Sequence, residues 1–206
     1  MRFFSYDGKA AQFILLMARM TLMTLIWFAG CIPVITGGAS SVGMYYALNR
    51  YREGDVHLFE NYKLGAKTHW KRATLFWVLC LAVGIGLFCE WFFFDFTHFL
   101  DYPALLVAAV LAVAAFSFMA LWFYPVMVNF RGSFGELIGN AFLFSIIYTP
   151  YTLVTIALYV GLLYLLNFPI VFGVCCIFAQ GLIAYAGVLM YEKAFRKYRK
   201  GLGNAD

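Results

Sequence analysis

The chain has 206 residues, is 64% hydrophobic and only 12% charged, and carries a formal charge of +5. Soluble domains run near about 45–50% apolar and about 25% charged. The composition therefore excludes a disordered chain, a nucleic-acid-binding domain and an ordinary soluble enzyme, and fits an integral membrane protein built as one transmembrane domain.

A membrane helix needs about 20 mostly apolar residues. The first such stretch covers about 13–36. It carries no charge from Met20 onward and stops at Pro33 and the pair Gly37-Gly38, which break a helix. A short helix should follow, with Thr36, Ser40 or Ser41 as its cap. Over Leu58–Trp70 the pattern is amphipathic. Leu58, Tyr62, Ala66 and Trp70 are assigned to one face, and Lys63, Lys67 and Lys71 to another. A basic helix of this kind lies in the membrane interface or docks on a partner.

Four more spans follow, over about 73–94, 102–130, 142–166 and 170–191. The third carries small residues at Ala104, Ala108 and Ala112, a spacing that allows close helix–helix contact. Pro150 should kink the fourth near its start. Aromatics at Trp91–Phe94 and at Tyr191, Phe195 and Tyr198 read as an interfacial belt. The expected fold is all-α, a polytopic membrane protein of about five transmembrane helices with one or two interfacial amphipathic helices.

Basic residues favour the cytoplasmic side. Five crossings with the tail inside place twelve Lys and Arg inside and leave Arg2, Lys9 and Arg19 outside. The N-terminus is thus expected outside and the C-terminus in the cytoplasm. A re-entrant first segment, with both ends inside, is the main alternative. A cleaved signal peptide conflicts with the six basic residues between Asn49 and Arg72.

Arg19 and Glu90 fall within apolar spans, where a charge costs roughly 2.5–3.5 kcal/mol. With five crossings they share a depth near the outer face, so a structural pair or an ion site is expected. No catalytic or nucleotide motif is present. The three histidines lack metal spacing, and Cys31, Cys80, Cys89, Cys175 and Cys176 read as free thiols. A non-enzyme without cofactor or metal is expected.

The run Trp27…Cys31-Ile32-Pro33-Val34-Ile35-Thr36-Gly37-Gly38…Tyr45-Tyr46 resembles the YesL family of small bacterial membrane proteins of undetermined function. Lys67–Thr74 and Leu137…Asn140-Ala141-Phe142, with Pro150, extend the likeness. The motif residues are Trp27, Pro33, Thr36, Gly38, Tyr45 and Tyr46. The resemblance implies a cell-membrane accessory of carbohydrate ABC import or its regulation. Lys63, Lys67, Trp70, Lys71, Arg72 and Asn140 are then candidates to touch the importer permease, its ATPase or lipid. A small homo-oligomeric channel or transporter, built on Arg19, Glu90 and the alanine stripe, is the alternative.

Overall fold

The computed structural model describes residues 9–93 and 103–203. Among them are seven α-helices and no strand. Helix α1 (Lys9–Cys31) ends just before Pro33, and a single 3-10 turn at Val34–Thr36 reverses the chain into α2 (Gly37–Arg52). Gly54, at φ 100°, takes the left-handed conformation that closes the next loop. The Asp55 carboxylate accepts the His57 N–H at 3.0 Å just ahead of α3 (Leu58–Phe93).

Helix α3 is a single rod of 36 residues. The expected interfacial helix over Leu58–Trp70 and the second span are therefore one element. Nothing between Trp70 and Thr74 breaks a helix, so the ladder runs through. The expected apolar face is also corrected. Steps of four residues advance about 40° beyond a full turn each time, so by Trp70 the stripe has rotated away. Leu58, Asn61, Gly65, Ala73 and Phe76 are the buried positions, whereas Trp70 is 52% exposed.

Helix α4 (Pro103–Asn129) matches the third expected span within a residue at each end. Helix α5 (Phe134–Ile147) starts with a capping box. The Ser133 N–H donates to Glu136 Oε2 at 2.8 Å, and the Glu136 N–H donates to Ser133 Oγ at 3.3 Å. Helix α6 (Thr149–Tyr164) follows with Pro150 in its first turn. The fourth expected span is thus two helices, bent by 91° at Tyr148. Helix α7 (Pro169–Gly203) completes the chain.

Three described helices are long and apolar enough to cross a membrane, over Ala10–Cys31, Leu58–Cys89 and Leu106–Asn129. The bent α5–α6 pair adds a fourth if it counts as one span. The expected fifth span falls in α7, where many side chains between 169 and 177 lie outside the described residues.

Two apolar clusters hold the bundle. One joins Phe76, Trp122, Phe123, Phe144, Tyr191 and Phe195, from α3, α4, α5 and α7. The other joins Met20, Met23, Met44, Leu48, Leu58 and Val188, from α1, α2, α3 and α7. Contacts along α1 give its direction relative to α7. Thr24 Oγ1 accepts the Gly181 N–H at 2.9 Å, while Arg19 reaches Tyr51, whose ring meets Tyr185. Helices α1 and α7 are therefore antiparallel. The start of α1 and the end of α7 lie at the same end of the bundle, beside the α2–α3 loop.

Candidate functional site

The motif residues build a reinforced turn between α1 and α2. A helix ends with carbonyls that lack intrahelical partners, and inside a membrane water cannot serve them. Here side chains do so. Thr36 Oγ1 donates to the carbonyls of Gly30 at 2.6 Å and Pro33 at 2.8 Å, and Trp77 Nε1 donates to the Val34 carbonyl at 2.7 Å. The hydroxyl of Thr36 thus caps the end of α1; it makes no side-chain bond to the start of α2. Ile32, Val34 and Ile35 are 80%, 61% and 67% exposed at the tip, a surface suited to hydrocarbon.

Below the tip, Trp27 is held from both sides. Its Nε1 donates to Ser41 Oγ at 3.1 Å, and its carbonyl accepts from Ser40 Oγ at 2.9 Å. Tyr62 of α3 donates to Ser40 Oγ at 2.8 Å. Ser40 and Ser41 therefore clamp α2 to α1 and α3 and do not cap. Glycine makes the approach of α2 to α3 close. A Cβ on Gly38 would lie 2.3 Å from the Ala73 carbonyl oxygen, and one on Gly65 would lie 2.4 Å from Tyr46 Cβ. Tyr45 stacks on Tyr124 with centroids 6.4 Å apart, and Tyr46 faces His69.

The candidate contact residues of α3 run along its first half, from Lys63 near the α2–α3 loop to Arg72, which stands about 21 Å along the helix at 1.5 Å per residue and level with Gly38 through its neighbour Ala73. Arg72 donates to the Gly132 carbonyl at 2.8 Å, and Asn49 donates to Asn129 at 3.3 Å, tying that region to the α4–α5 turn. Arg52 pairs with Glu192, which also takes Arg196 at 2.6 Å. The ammonium of Lys63 sits 4.2 Å from the Phe59 ring centre, and that of Lys71 sits 5.9 Å from Trp70. Lys63, Lys67, Trp70 and Lys71 are exposed, and Asn140 on α5 is half-buried.

Arg19 and Glu90 are not brought together. Arg19 donates to the Tyr51 hydroxyl at 2.9 Å and lies over that ring at 5.2 Å. Its neighbour Met20 shares a cluster with Leu58, at the start of α3. Glu90 stands near the far end of the same helix, about 48 Å along it at 1.5 Å per residue. The Glu90 side chain lies outside the described residues. The expected equal depth of the two residues is not what the helices show, since Arg19 lies beside the start of α3 and Glu90 stands near its end. Cys31, Cys80 and Cys89 are free thiols; the side chains of Cys175 and Cys176 lie outside the described residues. Ala104, Ala108 and Ala112 are exposed on α4.

A cavity of about 510 Å³ lies among the α1–α2 hairpin, α3, α4, α6 and α7. Its walls include Trp27, Trp77, Phe116, Tyr124, Tyr159 and Gln180, and none of the described residues lining it is charged. The sequence reading passed over Gln180. The available signal was an amide inside an uncharged stretch running from Leu137 to Tyr191, since polar groups at membrane depth cost energy.

A family model described as "Protein of unknown function, DUF624" matches residues 20–91. That stretch holds the end of α1, the reinforced turn, α2 and most of α3. No curated protein and no solved structure matches the chain.

Proposed function

We propose that this chain is a non-enzymatic accessory of the bacterial cell membrane that docks on a partner through its basic end, and that the partner is a carbohydrate ABC importer. The observation that carries the docking reading is the Arg72–Gly132 bond. It unites two stretches well separated in sequence into one surface, with Lys63, Lys67 and Lys71 exposed on it. The resemblance of the turn motif to the YesL family supports the sugar-importer partner.

In this reading the basic end faces the cytoplasm. The start of α1 and the end of α7 lie on that side, and α1–α2 enters and leaves the bilayer by one face. All fifteen Lys and Arg then stand inside, where the twelve-to-three division of five crossings left an imbalance. Cysteines at positions 5 and 203 should both resist a membrane-impermeant reagent applied from outside. Labelling of position 5 alone would restore the five-crossing arrangement.

The docking test is crosslinked co-purification of the tagged chain from its own membranes in mild detergent. Importer permease or ATPase subunits should appear at near-equal amounts. The triple reversal Lys63→Glu, Lys67→Glu, Lys71→Glu should remove them by at least about tenfold, since rim charges steer and register such contacts. Recovery of the chain alone as a defined homo-oligomer would favour the channel or transporter alternative. The exposed alanine stripe is what supports that alternative, and liposome flux would then be the deciding measurement.

A further inference from the structure

The cavity behind the α1–α2 hairpin has a composition that selects its occupant. At about 510 Å³ it falls within the usual ligand range of about 300–1,000 Å³. Seven of its seventeen lining residues are aromatic, twice the 20% share of aromatics in the chain. With no charge among the described lining residues and few polar atoms on the walls, a sugar or an ion would lose its hydration without replacement.

One polar pair in the wall bears on the occupant. Tyr159 donates its hydroxyl to Gln180 Oε1 at 3.4 Å. That occupies the amide oxygen and leaves the amide N–H groups as donors. The Tyr124 ring lines the wall, while its hydroxyl is buried away from the cavity. The rim carries Ser117 from α4 and Val160 and Leu163 from α6, all exposed. The mouth therefore opens sideways, toward the bilayer.

We propose that this cavity binds a neutral, bilayer-dissolved molecule with a flat ring and a carbonyl oxygen, the chemistry of a quinone. The ring packs among Trp27, Trp77, Phe116 and Tyr124, and the Gln180 amide donates to its carbonyl. The site is one of binding, and no electron transfer is assigned to it.

The test titrates the full-length chain in detergent micelles with a short-chain benzoquinone and reads tryptophan fluorescence. Trp27 and Trp77 in the walls should be quenched along a saturating curve. Gln180→Leu should raise the half-saturation concentration about tenfold. Ala120→Phe fills the cavity from α4 without touching the polar pair, and should abolish saturation while elution volume and helicity stay unchanged. It serves as the reporter should Gln180→Leu fail to fold. Quenching that rises linearly with quinone in wild type and in both variants would mean partitioning into the micelle, and would overturn the proposal. So would displacement of the quinone by dodecanol at equal concentration, because a ringless chain would then suffice. Neither result depends on whether the basic end docks on an importer.

Discussion

The basic end of the bundle, where α2 and the start of α3 mix glycine, hydroxyl and basic residues with apolar ones, is held differently from the more apolar far half of α3 and α4. Near the basic end α2 presses on α3, and α1 presses on α7. A Cβ on Gly181 would lie 2.3 Å from the Met20 carbonyl oxygen. In the far half, Ile85, Phe88, Val107, Val110 and Leu111 are each 57–64% exposed. A methyl on Gly84 or Gly86 would meet nothing within 4 Å. Hydropathy is equally satisfied by protein and by lipid. Small residues occur in both regions, and what differs is whether a neighbour packs on them: Gly38, Gly65 and Gly181 lie against another helix, whereas Gly84 and Gly86 face open space.

The sharpest way to break this contrast is at the close approaches. Gly38→Val should cost more than about 3 kcal/mol, because the atom it meets is backbone and cannot step aside. The readout is loss of a monodisperse peak and of resistance to thermal aggregation. Next is Trp122→Phe. Trp122 is buried and donates to Thr152 Oγ1 at 2.8 Å, so the variant should lose about 1–3 kcal/mol in a detergent unfolding titration. Gly86→Ala, in the far half, should have the opposite sign, a gain of at most about 1 kcal/mol from helix propensity. A loss there would mean that something packs on that face.

The smallest effect concerns pH. Burial, and then the charge of Arg72, hold the His69 ring below its ordinary value of 6.5. The folded chain therefore takes up this proton less readily than the unfolded one. The stability the neutral ring supports is present above about pH 6.5 and declines as pH falls below it. A slight drop in thermal midpoint between pH 7.5 and 5 should disappear in His69→Asn. A drop that survives the substitution belongs to another group.

Much of the architecture was legible because hydropathy reports spans directly. The third span was read as 102–130 and α4 covers Pro103–Asn129. The break near Pro150 was also readable, although the angle of 91° was not, since it depends on where α5 finds its partners Trp122 and Phe195. Sidedness rests on more than a charge count, for a physical reason. Counting charges requires knowing how many times the chain crosses. The return of α2 along α1 is written in Gly38, Ser40 and Ser41, whose partners Ala73, Trp27 and Tyr62 become evident only in three dimensions. The motif was recognisable as a pattern before its work as a turn clamp could be read. Gln180 stayed hidden because one neutral amide barely alters the mean hydropathy of its helix.

The bond from Trp77 to the Val34 carbonyl spans 43 residues of sequence. Synthesis proceeds at about 5–20 residues per second, so the tip of the α1–α2 hairpin is made about 2–9 s before the side chain that completes it. During that interval the tip lacks its Trp77 contact, and the Val34 carbonyl is held by the Gly37 N–H alone. The order of manufacture thus makes α3 a chaperone in cis for the hairpin that precedes it.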